Sequence, residues 1–365
     1  MEEQPSVLES MELKVHKSFW KNKRVIITGH TGFKGSWLSL WLNFLEAKVT
    51  GYALNPFTNP NLFSLLGIKK NISDHRDNIR DLSSLISVIK SSEPRIIIHL
   101  AAQSLVRKSY KDPVGTFATN VMGMVNLMEA ARSCDSVRVI LVVTSDKCYE
   151  NREIDYGYRE TDTIGGHDPY SCSKGCAELV TSAFRRSFFE NGSAVAIASA
   201  RAGNVIGGGD WAADRIVPDA MRAFNENQIL MVRNPGAVRP WQHVLDPLSG
   251  YMTLCEKMWN HPSKFSEGWN FGPADENVRT VGEVTDRISE LWGDHAAWER
   301  SNVDHPHEAT LLKLDITKAK KQLGWKPKWD LDTALEKTVS WYKSYYNGQD
   351  VGEMSLKQIE EYQIS

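Results

Sequence analysis

Cysteine is scarce in this sequence and forms no framework. The five present, Cys134, Cys148, Cys172, Cys176 and Cys255, are an odd number without regular spacing in 365 residues. That pattern excludes a disulfide-stapled fold and fits a reducing compartment, the cytoplasm. Cys172 and Cys176 lie four apart and Cys148 could join them, yet no histidine stands at ligand spacing, so buried thiols are expected and no metal. Long apolar runs are missing too. None approaches the roughly 18–20 residues that cross a bilayer, which argues against a membrane-spanning chain. Charge of one sign is also missing: Lys+Arg number 43 and Asp+Glu 45, a net charge of −2. No general field therefore attracts nucleic acid. Met1 to Lys17 lack the basic start and apolar stretch of a secretory signal, and carry Glu2, Glu3, Glu9 and Glu12 instead. Residues 1–18 read as a flexible or loosely docked leader.

What is there is apolar residue in short, evenly spread runs, 41% of the chain. Arg24 to Thr28, Val49 to Leu54, Ile96 to Leu100, Val137 to Val143 and Ala194 to Ala200 read as strands. Helical spacing runs over Gly32 to Leu45, Asp81 to Ser92, Val114 to Arg132 and Ser173 to Phe189. Strands apolar throughout, alternating with helices, predict an α/β doubly wound parallel sheet, covered on both faces, that binds ligands at the carboxyl ends of its strands. After Arg201 glycine, proline and tryptophan become denser, and helices return at Asp246 to Trp259, Val281 to Trp292 and Leu331 to Tyr346. The expected organisation is a Rossmann domain over 19–200, a smaller, partly helical substrate-binding lobe over 201–350, interleaved with it, and a peripheral helix or tail over 351–365. Trp211, Trp241 and Trp269 are expected in the core.

Two motifs carry chemistry. Gly29, Gly32 and Gly35 lie between the first strand and the first helix. The first permits a tight turn, the second lets backbone approach a pyrophosphate, and the third lets helix and strand pack closely. The helix N-terminus then presents free N–H groups to the phosphates. The loop's Thr31, Phe33 and Lys34 join the glycines as cofactor contacts. No carboxylate or arginine follows the second strand; Asn55 is the only ribose candidate there, so local sequence leaves NAD and NADP open. After the third strand, Asn78 and Ile79 are placed to meet an adenine. Leu100, Ala101, Ala102 and Gln103 follow Ile96–His99, where small residues let a cofactor pass. The second motif, Tyr170-Ser-Cys-Ser-Lys174, puts phenol and ammonium on one helix face. A lysine beside a tyrosine, near a cationic nicotinamide, lowers the phenol pKa from about 10, so that it can take a proton from an alcohol. The spacing alone is common by chance; its place one strand after the glycine loop gives it weight. Upstream, Ser145 can bind the reacting hydroxyl. Asp146 and Lys147 add acid–base groups that a simple alcohol oxidation does not need, and that suit either an elimination of water or merely a solvated ion pair.

GHTGFKGSWL, HLAAQSLVRKSY, TSDKCYENRE, DPYSCSKGCAE, RAGNVIGGGDWAADRIVPD, RPWQHVLDPLSGY and EGWNFGP, from about Trp20 to Tyr346, together resemble the CDP-glucose 4,6-dehydratase group of extended short-chain dehydrogenase/reductases. The resemblance implies bound NAD and a CDP-glucose substrate in deoxysugar biosynthesis. Tyr170 is then the base at the sugar 4-OH, Lys147 the base at C5 and Asp146 the acid at the 6-OH. Lys174 holds the nicotinamide ribose, and Asn120 bends its helix and orders a relay water. Substrate contacts are expected from Gln103, Arg107, Asn204, Arg215, Arg233, Arg239 and His305, with His307 a weaker candidate. Asn78 stands where an aspartate is usual, and Cys172 where an asparagine is. The resemblance implies a homodimer or homotetramer paired partly through the Tyr-Lys helix, whose Leu179, Val180 and Phe184 suit either that interface or equally the internal core. A nucleotide-sugar 4-epimerase would keep Tyr170 and Lys174 without needing Asp146 and Lys147. A non-catalytic dinucleotide-binding regulator would typically lose the tyrosine or the lysine.

Overall fold

The structure is a computed structural model, described over residues 15–189, 194–274, 278–293, 295–301 and 311–365. Its centre is a seven-stranded parallel sheet of β1 (Arg24–Thr28), β2 (Lys48–Ala53), β3 (Ser73–Arg76), β4 (Ile96–His99), β5 (Val139–Val143), β6 (Ala196–Ala202) and β7 (Gly268–Phe271), in the order β7-β6-β5-β4-β1-β2-β3. The apolar runs are continuous because both faces are covered. Successive residues alternate between two cores: Val25, Ile27, Ile96, Ile98, Val139 and Leu141 enter one, while Ile26, Ile97, Ile140 and Ile197 enter the other. The doubly wound sheet read from the sequence is therefore present. Its edges carried weaker signals. β3 is Ser-Asp-His-Arg and is held by its pairing with β2, and β7 is a strand of the C-terminal half that completes the sheet beside β6.

Around the sheet pack α1 (Phe33–Phe44), α2 (Leu82–Ser92), α3 (Gly123–Arg132) and α4 (Pro169–Phe184), then α5 (Ile216–Asn225), α6 (Leu245–Asn260), α7 (Val281–Trp292), α8 (Leu331–Tyr346) and α9 (Val351–Ile364). The long helix expected to begin near Val114 is interrupted by a π-helical turn at Ala118–Met122, which contains Asn120. The Tyr-Lys helix starts earlier than Ser173, because Asp168 caps it by accepting from Tyr170 N and Ser171 N, and Pro169 fits its first turn.

Both ends of the described chain are docked. His16 donates its backbone N–H to Glu256 (3.1 Å) and its ring sits 2.7 Å from the same carboxylate, which Trp20 Nε1 also reaches (2.8 Å). α9 buries Ile359 and Tyr362, and Tyr362 Oη donates to Asp246 Oδ1 on α6 (2.7 Å). Trp211, Trp241 and Trp269 are buried. Among the described residues no helix is long and apolar enough to cross a membrane.

Candidate active site

The β1–α1 loop is built around glycine for steric reasons. Gly29 has φ +78°, and a Cβ there would sit 2.7 Å from Ala101 N. At Gly35 a Cβ would collide with the Gly29 carbonyl oxygen, so helix and turn pack there only without a side chain. At Gly32 a Cβ would meet only Gly29 O, at 3.5 Å, so this side of the loop is open. No side chain caps α1 at Gly32, leaving its first-turn N–H groups facing the loop. Thr31 Oγ1 donates to Leu54 O (3.0 Å), tying the loop to the end of β2.

The neighbouring strand ends supply the rest of the predicted groove. Ala101 N donates to Thr28 Oγ1 (3.3 Å), which pairs with buried His99 Nδ1 at 2.7 Å; burial holds the His99 imidazole down to about 3, hence neutral. Gln103 N donates to Asn120 Oδ1 (2.7 Å), and Asn120 Nδ2 donates to Gln103 O (3.0 Å) and Ser173 Oγ (2.8 Å). Ser173 Oγ in turn donates to Tyr170 O (2.7 Å). The π-turn at Asn120 thus bridges the end of β4 to the first turn of the Tyr-Lys helix. Asn55 is exposed beyond β2. The Asn78 Oδ1 expected to read an adenine accepts from Arg80 N (3.0 Å) and Arg80 Nε (3.3 Å).

At the end of β5 the chain makes a short 3₁₀ turn, Asp146–Cys148, with Ser145 at its cap. Ser145 Oγ donates to Asp146 Oδ1 (2.9 Å) and accepts from Lys147 N (3.3 Å). Asp146 is buried, and its Oδ2 has no hydrogen-bond partner among the described residues. That oxygen faces Gly203, where a Cβ would lie 2.8 Å away. Burial raises the Asp146 carboxyl above the usual carboxylate range, against the pull of Lys147, Ser145, Arg239 and Lys34. Tyr170 and Lys174 are buried beside this turn. Burial pushes the Tyr170 phenol up to about 12, although a hydrogen bond with Ser145 works the other way. The lowering expected from Lys174 is absent in the protein alone: the ammonium donates to Val143 O (3.2 Å), and desolvation outweighs the remaining favourable contacts of the phenol. Burial brings Lys174 itself down to about 8, with Glu178 opposing.

The sequence left one network unread. Glu178, one turn beyond Lys174, is buried and accepts from Thr144 Oγ1 (2.5 Å), Ser199 Oγ (2.6 Å) and Arg201 Nη2 (2.7 Å). Arg201 Nη1 donates to Tyr149 Oη (2.6 Å), which donates to Asn270 Oδ1 (2.7 Å) on β7. The i,i+4 spacing of Lys174 and Glu178 was the available signal. The substrate candidates fall into two groups. Arg215 bonds to Asp210 Oδ2 (2.7 Å) and Ser104 Oγ (3.4 Å) and acts on both Tyr170 and Lys34, which places it at the site. Buried Arg239 lies near Asp146, and Asn204 O accepts from Gln242 N (3.1 Å). Arg107 and Arg233 converge on a different carboxylate, Asp214, at 3.1 and 3.2 Å. His305 and His307 lie outside the described residues.

Several known proteins share this organisation. The sequence pattern of the GDP-mannose 4,6 dehydratase family matches residues 26–338. A CDP-glucose 4,6-dehydratase of Salmonella typhimurium is 51% identical over 352 residues, covering 95% of this chain and 98% of that protein. Among solved structures, a dTDP-glucose 4,6-dehydratase of Bacillus anthracis, crystallised with NAD, superposes with a TM-score of 0.74 at 23% identity, over 90% of this chain and 98% of the other. A UDP-glucose 4-epimerase of Thermotoga maritima does so with a TM-score of 0.75 at 21% identity, over 88% and 99%. At those identities the two structures speak to the fold alone.

Proposed function

The chain belongs to the GDP-mannose 4,6 dehydratase family, and from that membership we propose that it is a CDP-glucose 4,6-dehydratase, converting CDP-glucose to CDP-4-keto-6-deoxyglucose and water. The observation that carries this reading is the turn after β5, which sets Asp146, with Lys147 next to it, beside Tyr170. The 51% identical CDP-glucose enzyme supports the choice of nucleotide. The glycine loop fits NAD, since it keeps open the one side that a pyrophosphate needs and aims uncapped helix N–H groups there. Gly29, Thr31, Gly32, Phe33, Lys34 and Gly35 would hold the pyrophosphate, Asn55 the ribose and Ile79 the adenine. Leu100 to Gln103, Tyr170 and Lys174 would hold the nicotinamide half. When bound, NAD supplies a hydride acceptor that becomes the donor later in the same turnover, and a positive ring near the phenol.

The protein's own groups then divide the proton transfers. Tyr170, held by Ser145, takes the proton of the sugar 4-hydroxyl as C4 is oxidised. The ketone at C4 acidifies the hydrogen on C5, which Lys147 removes. Asp146, whose carboxyl burial keeps protonated more readily than an exposed one, gives its proton to the departing 6-hydroxyl. Arg215 and Arg239 suit a diphosphate by their fork geometry, with Asn204 and Gln103 near the sugar. Arg107 and Arg233, which both pair with Asp214, are further candidates for the same ligand. An epimerase reading has the same fold but no task for Asp146 and Lys147. The enzyme is read as a cytoplasmic homodimer or homotetramer. Leu179, 61% exposed on α4, supports pairing there, while Val180 and Phe184 pack on the internal core. Incubation with CDP-, dTDP-, UDP- and GDP-glucose tests the assignment. CDP-glucose is expected to give a 4-keto-6-deoxy product with its alkaline chromophore; product from another nucleotide alone, or epimer without loss of water, overturns it.

A further inference from the structure

The amino ends of the strands, opposite the catalytic edge, carry a second concentration of charge. Arg24, Arg95 and Arg138 stand at the start of β1, β4 and β5, which are neighbours in the sheet. Register puts Val25 opposite Ile96 and Ile96 opposite Val139, and the ladder continues outward through Arg95 N to Arg24 O (2.9 Å) and Arg138 N to Arg95 O (2.9 Å). Three guanidinium groups therefore share one position across strands about 4.7–4.9 Å apart. Like charges directly opposite one another destabilise a sheet, so the row needs an explanation.

Neutralisation within the chain is incomplete. Arg24 is engaged by Glu93, through its carbonyl oxygen (2.6 Å) and its carboxylate (3.5 Å), and Lys21 by Glu46 (2.7 Å). Lys23, Arg95 and Arg138 have no carboxylate within ion-pair distance among the described residues. Among the described residues the Arg95 side chain hydrogen-bonds to Ser136 O (3.4 Å), and the buried Nε of Arg138 has no hydrogen-bond partner. Lys23 Nζ lies 4.0 Å from the centre of the Trp259 ring and Arg138 Cζ 4.9 Å from it, so one indole holds both cations in place. The pair is still repulsive: burial, Arg95 and Arg138 together lower the Lys23 ammonium. These groups, with Lys21, Asn22 and Arg24, line a cavity of about 380 Å³. It lies a strand length, on the order of 16 Å, from the catalytic edge.

We propose that this arginine row is a binding site for a pyrophosphate-class anion, separate from the catalytic site. Two forked guanidinium groups on adjacent strands match two linked phosphates, and an anion with several charges removes the repulsion that the chain leaves standing. The inference does not depend on the reaction assigned to the other edge. Isothermal titration calorimetry of the full-length protein with inorganic pyrophosphate, and in parallel with CTP, tests it. Wild type is expected to bind one more equivalent than Arg95→Gln/Arg138→Gln, or that site is to weaken at least about tenfold. Arg239→Gln, at the opposite edge, is to retain it. CTP binding more tightly than pyrophosphate identifies a nucleotide as the source; equal or weaker binding identifies the free diphosphate. Near-UV circular dichroism checks folding, and the single substitution Arg95→Gln, at an exposed position, serves if the double variant does not fold. Isotherms identical in wild type and variants, or no binding to the wild type, overturn the proposal.

Discussion

Asp246→Asn is expected to stabilise the protein at pH 8 relative to its effect at pH 5. Asp246 is fully buried in the first turn of α6. Its Oδ1 accepts from Lys328 N (2.8 Å) and Tyr362 Oη (2.7 Å), which ties α6 to α9, while Oδ2 has no hydrogen-bond partner among the described residues. Burial raises the carboxyl from 3.8 to about 7, against the hydrogen bonds and the Lys328 charge. The folded chain then keeps a proton that the unfolded chain has released, so stability falls as pH rises between those values and stays low above them. At about 1.4 kcal/mol per pH unit, the interval from pH 5 to 7 is worth about 3 kcal/mol, an upper figure for a group whose surroundings can relax. Asparagine keeps the accepting oxygen and cannot ionise, but it buries an N–H whose lack of a partner costs about 1–3 kcal/mol at every pH. The difference between variant and wild type is therefore expected to move by up to about 3 kcal/mol in favour of asparagine between pH 5 and pH 8. Urea unfolding followed by circular dichroism at the two pH values reads it directly. A difference that stays constant with pH would show that Asp246 does not hold its proton in the fold, and would refute the reasoning.

Three further substitutions probe the catalytic edge. Glu178→Gln leaves the Arg201 charge buried without its counter-ion, a loss of about 3–5 kcal/mol by chemical unfolding. It also removes the anion that supports the Lys174 ammonium, so the alkaline limb of the rate profile, near the Lys174 value of about 8, is expected to move to lower pH. A stability loss with an unmoved limb would make Glu178 structural only. Lys147→Ala is expected to abolish loss of water while single-turnover reduction of the nicotinamide by substrate remains visible in absorbance; normal turnover would remove Lys147 from the elimination. Tyr170→Phe is expected to bind substrate in calorimetry yet lose about 10²–10⁴-fold in rate, the usual worth of a general base; a wild-type rate would exclude it as that base.

Legibility of the fold followed burial. β1, β4 and β5 were plain because parallel strands covered on both faces must be apolar at every position. β3, at the sheet edge, is polar and owes its extended form to β2, so nothing in Ser-Asp-His-Arg announces it. The ends of helices were legible only where a cap was considered: Asp168 moves the start of α4 to Pro169, four residues before the apolar periodicity begins. In the site, Tyr170 and Lys174 were readable because they are local. The carboxylate that collects two of the candidate arginines was not. Asp214 joins Arg107 across 107 residues and Arg233 across 19, pairings that no spacing rule contains.

The same limit explains the direction in which the tyrosine differed from expectation. Charge near Tyr170 could be counted in the sequence, and counting it predicts a lowered phenol. Desolvation could not be counted, and it prevails in the protein alone. At the neighbouring turn that same force separates the two groups to which the proposed mechanism gives the proton transfers of the elimination. Asp146 is buried against Gly203 with one oxygen unpartnered among the described residues, whereas Lys147, next in the chain, is only half-buried. A carboxyl raised by burial is a better proton donor near neutral pH than an exposed one, already ionised, could be. In the proposed mechanism the acid of the elimination is the residue that the fold buries, and the base is the half-buried one beside it. Spacing alone named both residues without preferring one for either task; the family resemblance made that division, and burial gives it a physical reason.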